Sequence, residues 1–259
     1  MSRAARDRRT FGPGPYLLGL ERNPERPWPE GDAAFPFGVP SVAALPALDL
    51  GTPITLLAGD NGAGKSTIVE AIAAAIGFAE EGGELERPHR PAALPAAVLD
   101  EHLLPVTSST KPRGGYFLRA ESFFNVARFV DSQDEFSPDL SLYGDVPLHE
   151  QSHGQSFLAL AANRFGGEGI FVLDEPEAAL SVSGALALLG IVAQAARRGA
   201  QFIIATHSPI LLACPGARIY ELTDDGVAPC DYDDLDAVRL TRAFLDAPGR
   251  FLDAVLRED

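Results

Sequence analysis

Short, nearly unbroken apolar runs recur along the chain at Ile54–Ala58, Ile170–Leu173 and Gln201–Ala205, with a last one near Arg218–Leu222. Runs of this length without polar alternation read as strands buried on both faces. Between them the period changes. Ser66–Ile76, Gln155–Asn163 and Ser181–Arg197 read as helices, while Phe123, Val126, Ala127 and Val130 fall at the i, i+3, i+4, i+7 spacing of a buried helical face. A further strand is expected at Tyr116–Ala120, and two short helices near Asp234–Leu245 and Pro248–Leu256. Strands alternating with helices point to a parallel sheet covered on both faces, an α/β architecture.

The remainder is less regular. Residues 1–50 are rich in proline, glycine and aromatics, with a strand at Tyr16–Leu20 and an extended stretch near Phe35–Leu48. Proline and glycine make 79–114 read as an irregular insertion, and 131–151 as a polar linker. No internal repeat or long heptad run is present. The apolar stretches Ala185–Ala196 and Phe202–Ala213 are too short or too interrupted to span a bilayer, so direct membrane insertion is not expected.

With 259 residues the chain can form one large domain around a substantial core. No apolar segment of a secretory signal follows MSRAARDRR, and Cys214 and Cys230 are too few for a disulfide framework or a zinc site. Both features suit a reducing cytoplasm. A net charge of −15 works against non-specific attraction to a phosphate backbone. The basic run Arg3, Arg6, Arg8 and Arg9 reads better as a solvated terminus than as a DNA groove.

Four motifs carry chemistry. Gly59-Asp-Asn-Gly-Ala-Gly-Lys65-Ser66-Thr67 fits G-x-x-x-x-G-K-[ST] between a strand and a helix. Its glycines let backbone N–H groups of Asn61, Gly62, Ala63, Gly64 and the following residues face a phosphate, with the helix dipole behind them. Lys65 is placed to reach the β- and γ-phosphates of ATP, and Ser66 to ligate Mg²⁺. Chance supplies this pattern in about one chain per hundred of this length, and its strand–loop–helix setting reduces that further. Next, Ile170-Phe-Val-Leu-Asp174-Glu175-Pro176 sets Asp174 at a strand end as a Mg²⁺ ligand and Glu175 as the general base for an attacking water. Thr206-His207-Ser208 follows a third strand, where His207 can stabilise charge on a γ-phosphate. Finally, Ser152-His-Gly154-Gln155-Ser156 opens a helix and forms a small anion site, although a plain N-cap also explains it.

Taken in order, these motifs resemble those of the ABC ATPases. Gly59–Thr67 resembles Walker A, Ser152–Gln155 the signature motif, Asp174–Glu175 Walker B with its catalytic glutamate, and His207 the switch histidine. Ala178–Ser181 resembles the D-loop without its usual aspartate. Within that class, Ser-His-Gly-Gln, Glu-Pro-Glu-Ala-Ala-Leu-Ser and Thr-His-Ser-Pro look like the compact soluble "predicted AAA/ABC ATPase" relatives of the SMC, RecF and OLD heads.

The resemblance implies a P-loop NTPase fold, an ABC ATPase head with a mostly parallel sheet, an N-terminal antiparallel β part and a short helical insertion. It implies one domain over 1–259, with 79–151 as the insertion. It further implies a head-to-tail homodimer in which Ser152, Gly154 and Gln155 complete the partner's ATP site, and a function as an ATP hydrolase. DNA or an effector protein is the expected further partner, in repair or defence; the alternative is the ATP-binding subunit of a transporter. Glu121 stands near the usual Q-loop glutamine, either as a metal ligand or as a cap of the helix after it. Phe35 and Phe37 are candidates for stacking on adenine, and packing explains them equally well.

Overall fold

The computed structural model describes residues 10–29, 34–79, 82–85, 97–119, 153–178 and 180–256. Its strands are β1 (Thr10–Phe11), β2 (Leu17–Arg22), β3 (Leu48–Asp49), β4 (Ile54–Gly59), β5 (Gly83–Glu84), β6 (Leu103–Thr107), β7 (Thr110–Lys111), β8 (Gly114–Arg119), β9 (Gly169–Asp174), β10 (Gln201–Ala205), β11 (Arg218–Thr223) and β12 (Gly226–Pro229). The helices are α1 (Pro40–Ala43), α2 (Lys65–Ile76), α3 (Ala97–Asp100), α4 (His153–Arg164), α5 (Val182–Arg197), α6 (Pro209–Leu212), α7 (Asp236–Asp246) and α8 (Pro248–Val255).

The main sheet runs β12-β11-β4-β10-β9-β8-β5. Its five inner strands are parallel, and β12 and β5 pair antiparallel at the two edges. Every residue of β9 and β10 is buried, as the unbroken apolar runs require of a sheet covered on both faces. Alternate side chains divide between two cores. Leu57, Val172 and Ile203 pack with Ile68, Val69 and Ile72 of α2 and with Leu17 and Leu20 of β2. Leu56, Phe171, Phe202 and Ile204 pack with Phe157 and Leu160 of α4 and with Leu188 and Val192 of α5. Among the described residues, no helix is long and apolar enough to cross a membrane.

The expected N-terminal antiparallel part is the sheet β3-β2-β6. Its third strand comes from the stretch read as an irregular insertion, which is corrected here: β5, α3, β6 and β7 all lie within 79–114. Pro105 suggested a loop, yet β6 is an edge strand of its sheet, where a missing N–H is tolerated. β12, with Pro229 on the edge of the main sheet, lies beyond the strand expected to be last. The extended stretch expected at Phe35–Leu48 instead holds α1, entered through Pro40 at its first turn. The helix expected around Phe123–Val130 lies outside the described residues.

One buried side chain joins the two sheets. Gln201, fully buried at the start of β10, accepts from the N–H groups of Tyr16 and Leu17 at 2.8 and 2.9 Å. Its amide nitrogen donates to the carbonyls of Leu17 and Leu50 at 2.7 and 2.8 Å. Removing this amide strands several backbone groups away from water, each at a cost of about 1–3 kcal/mol. Gln201→Leu is therefore expected to lower unfolding free energy by roughly 3 kcal/mol, measured by urea denaturation; an unchanged midpoint contradicts the clamp.

Candidate nucleotide site

The register of the parallel strands brings the motifs to one edge. Ala205 of β10 lies opposite Leu57 of β4 on one side and Asp174 of β9 on the other. The chain then leaves β4 through the glycine loop, β9 through Glu175 and β10 through Thr206-His207-Ser208. Two further backbone bonds extend the alignment, from Thr206 N–H to Leu57 O and from Glu175 N–H to Ala205 O, each 3.0 Å.

Backbone shape in the glycine loop leaves little choice of residue. Gly64 has φ 91°, and a Cβ there would stand 2.6 Å from Ser41 Oγ. The Ser41 hydroxyl itself donates to Ala63 O, so α1 buttresses the loop from below. Asn61 and Gly62 are exposed at its tip, and Thr67 completes the first turn of α2. Gly64 at the N-cap offers no side chain to the first-turn N–H groups of α2, which suits them to an anion.

The charged side chains converge on this loop. The buried Lys65 ammonium donates to Gly59 O and Asp60 O, both at 2.8 Å. Ser66 Oγ donates to Asp174 Oδ1 at 2.9 Å. Glu175 Oε1 lies 3.6 Å from Lys65 Nζ and 3.6 Å from His207 Nδ1. Glu175 has φ 46°, a left-handed conformation rare for a residue with a side chain. One layer behind, Arg119 at the end of β8 pairs with Glu70 of α2 at 2.5 Å.

Two residues were not singled out in the sequence. Glu177, the third acid in Asp-Glu-Pro-Glu, accepts from Thr206 Oγ1, His207 N–H and Ser208 N–H at 2.6, 2.8 and 3.1 Å. Its signal was present as an acid two residues after the proposed base. Arg119 gave no signal beyond its place at a strand end.

Other expected residues are apart from this cluster or beyond description. Gly154 and Gln155 lie in the first turn of α4, whose core faces the side of the sheet opposite α2. Ser152 and Glu121 lie outside the described residues. Phe37 is buried, with ring centroids 5.5 Å from Trp28 and 4.8 Å from His102, so packing accounts for it. Phe35 is 61% exposed. A hollow of about 930 Å³ lies elsewhere, lined by Thr52, Cys214, Arg218 and Cys230, and includes none of the motif residues.

A glycine loop between a buried strand and a helix, with an acidic pair at the end of a second strand and a histidine just after a third, forms a site suited to a phosphate-bearing ligand. Comparison with known proteins gives partial matches. A family model described as "AAA domain" matches residues 41–87, and one described as "AAA domain, putative AbiEii toxin, Type IV TA system" matches 139–213. The chain is 33% identical over 90 residues to the cytochrome c biogenesis ATP-binding export protein CcmA of two Escherichia coli strains. That match covers 34% of this chain and 44% of CcmA, less than half the length of those relatives. Among solved structures, the SMC head domain from Thermotoga maritima is 15% identical with a TM-score of 0.45, over 83% of this chain and 99% of that one. An ATP-binding cassette of an ABC transporter in its ADP conformation is 17% identical with a TM-score of 0.42, over 77% and 89%.

The left-handed backbone at Glu175 has a measurable consequence. A side chain in this region costs about 1–2 kcal/mol that glycine does not incur. Glu175→Gly should therefore be more stable to urea than Glu175→Ala by about 1 kcal/mol; the reverse order would show that this backbone is unstrained.

Proposed function

We propose that this chain binds ATP with Mg²⁺ at the glycine loop, hydrolyses it, and uses the bound nucleotide to close two copies head to tail. The observation that carries the reading is the position of Glu175, whose carboxylate lies 3.6 Å from both Lys65 and His207 at the mouth of the loop. A general base must stand beside the phosphate whose hydrolysis it assists, and Lys65 and His207 are the side chains suited to donate to that phosphate.

The roles follow from chemistry. The N–H groups from Asn61 to Thr67 hold the phosphates, and Lys65 exchanges its carbonyl partners for phosphate oxygens. Ser66 and Asp174 form a hard-oxygen pair suited to Mg²⁺. Among the described residues, no cluster of three His, Cys, Asp or Glu could hold a metal alone. The fit is therefore to an ion that takes its other ligands from phosphate and water, as Mg²⁺ does. When bound, the ion neutralises charge on the β- and γ-phosphates. Glu175 orients and deprotonates the water, and His207 donates towards the γ-phosphate. Ser152, Gly154 and Gln155 act on the partner's nucleotide, consistent with α4 packing on the face opposite α2. Glu121 lies in the Q-loop-like segment of an insertion spanning 79–151 within a single domain, and Phe35 is the exposed aromatic left for adenine.

The biological output is proposed to be a cytoplasmic switch acting in DNA repair or defence, through DNA or an effector protein. The toxin–antitoxin description of the second family match supports defence. The match to CcmA supports a second reading, the ATP-binding subunit of an exporter, which predicts recovery with membranes together with a transmembrane partner.

Two variants test the chemistry. Lys65→Ala should weaken ATP binding at least about tenfold, measured with a fluorescent ATP analogue. Glu175→Gln should bind ATP normally yet release phosphate at least about a hundredfold more slowly. Normal binding by the first or normal turnover by the second would overturn the site assignment.

A further inference from the structure

The acid two residues beyond the proposed base, Glu177, is half-buried with its side chain only 8% exposed, and the proposed chemistry does not use it. One oxygen of Glu177 takes all three donors: the Thr206 hydroxyl and the consecutive N–H groups of His207 and Ser208. Successive backbone N–H groups and a hydroxyl aimed at one point form an anion nest. Here the anion belongs to the chain itself. The same oxygen lies 3.4 Å from His207 Nδ1, whose other carboxylate neighbour is Glu175 at 3.6 Å. The imidazole thus stands between two carboxylates.

The second oxygen, Oε2, is buried without a hydrogen-bond partner among the described residues. Oε1 alone holds three consecutive loop residues. Its own position is fixed by the turn after β9, where Ala178 N–H bonds to Glu175 O at 3.0 Å and Leu180 N–H to Glu177 O at 2.8 Å. The loop after β10 is therefore tied to the segment that carries the base.

We propose that Glu177 is a positioning residue: its carboxylate anchors the loop after β10 and aims His207 at Glu175. For catalysis the proposal rests on the hydrolytic reading above; as a statement about the loop it does not. The geometry requires an acceptor oxygen rather than a full charge, so Gln, which keeps Oε1, should serve where Ala cannot.

The test has two arms. Hydrogen exchange of the nucleotide-free protein reads the anchor directly: Glu177→Ala should speed exchange at the His207 and Ser208 amides at least about tenfold, with the β10 amides unchanged. Unchanged protection at 207 and 208 overturns the proposal. The second arm is a kinetic cycle. Glu177→Ala should lower kcat by about a hundredfold with KM for ATP nearly unchanged, and Glu177→Gln should restore kcat to within about tenfold of wild type. Glu177→Ala/His207→Ala should be no slower than the slower single variant, because one residue acts through the other. Additive losses, or a Gln variant as slow as the Ala variant, overturn the positioning role. A wild-type protein without turnover would instead refute the hydrolytic reading, and the exchange arm would still decide the anchor.

Discussion

The site depends on the parallel register of β4, β10 and β9. Ala205 sits level with both Leu57 and Asp174, so three separate segments leave the sheet at one height. A slip of one residue would turn every side chain of a strand to the other face. Here each face is buried against a different core, so a slip would set Phe171 and Phe202 against α2 and the smaller residues against α4 and α5. The fit of large and small residues to their own faces is what keeps Asp174, Glu175 and His207 beside the glycine loop. Gln201 reinforces the arrangement at the opposite end of β10, where its amide ties the main sheet to β2.

At the carboxyl edge, packing gives way to electrostatics. Lys65, Glu175, His207 and Glu177 form one chain of contacts beside the Ser66–Asp174 pair, drawn from α2, the end of β9 and the loops after β9 and β10. Such a group is expensive to assemble, because each carboxylate loses water and repels its neighbours. The left-handed backbone of Glu175 adds to that cost.

The parts legible in the sequence were those whose physics is local. The unbroken apolar runs located β4, β9 and β10 nearly to the residue, because burial on both faces leaves no alternation to misread. The glycine loop was legible because few residue types tolerate its backbone. Less was legible where an edge position relaxed a rule: prolines such as Pro105 made 79–114 read as irregular, where a sheet edge accepts a strand. Phe37 could not be separated from Phe35 without seeing that Trp28 and His102 enclose it. Glu177 was passed over for a related reason. Its role depends on a loop thirty residues later in the chain, and nothing in Asp-Glu-Pro-Glu alone shows which acid faces the water and which faces the protein.

The central claim is that two copies close around nucleotide bound at this edge. It is tested most directly by light scattering after gel filtration of Glu175→Gln, with and without Mg-ATP. The account predicts a monomer that becomes a dimer when Mg-ATP is added, because a variant that binds without hydrolysing cannot reopen by turnover. A mass that is the same in both conditions would contradict it.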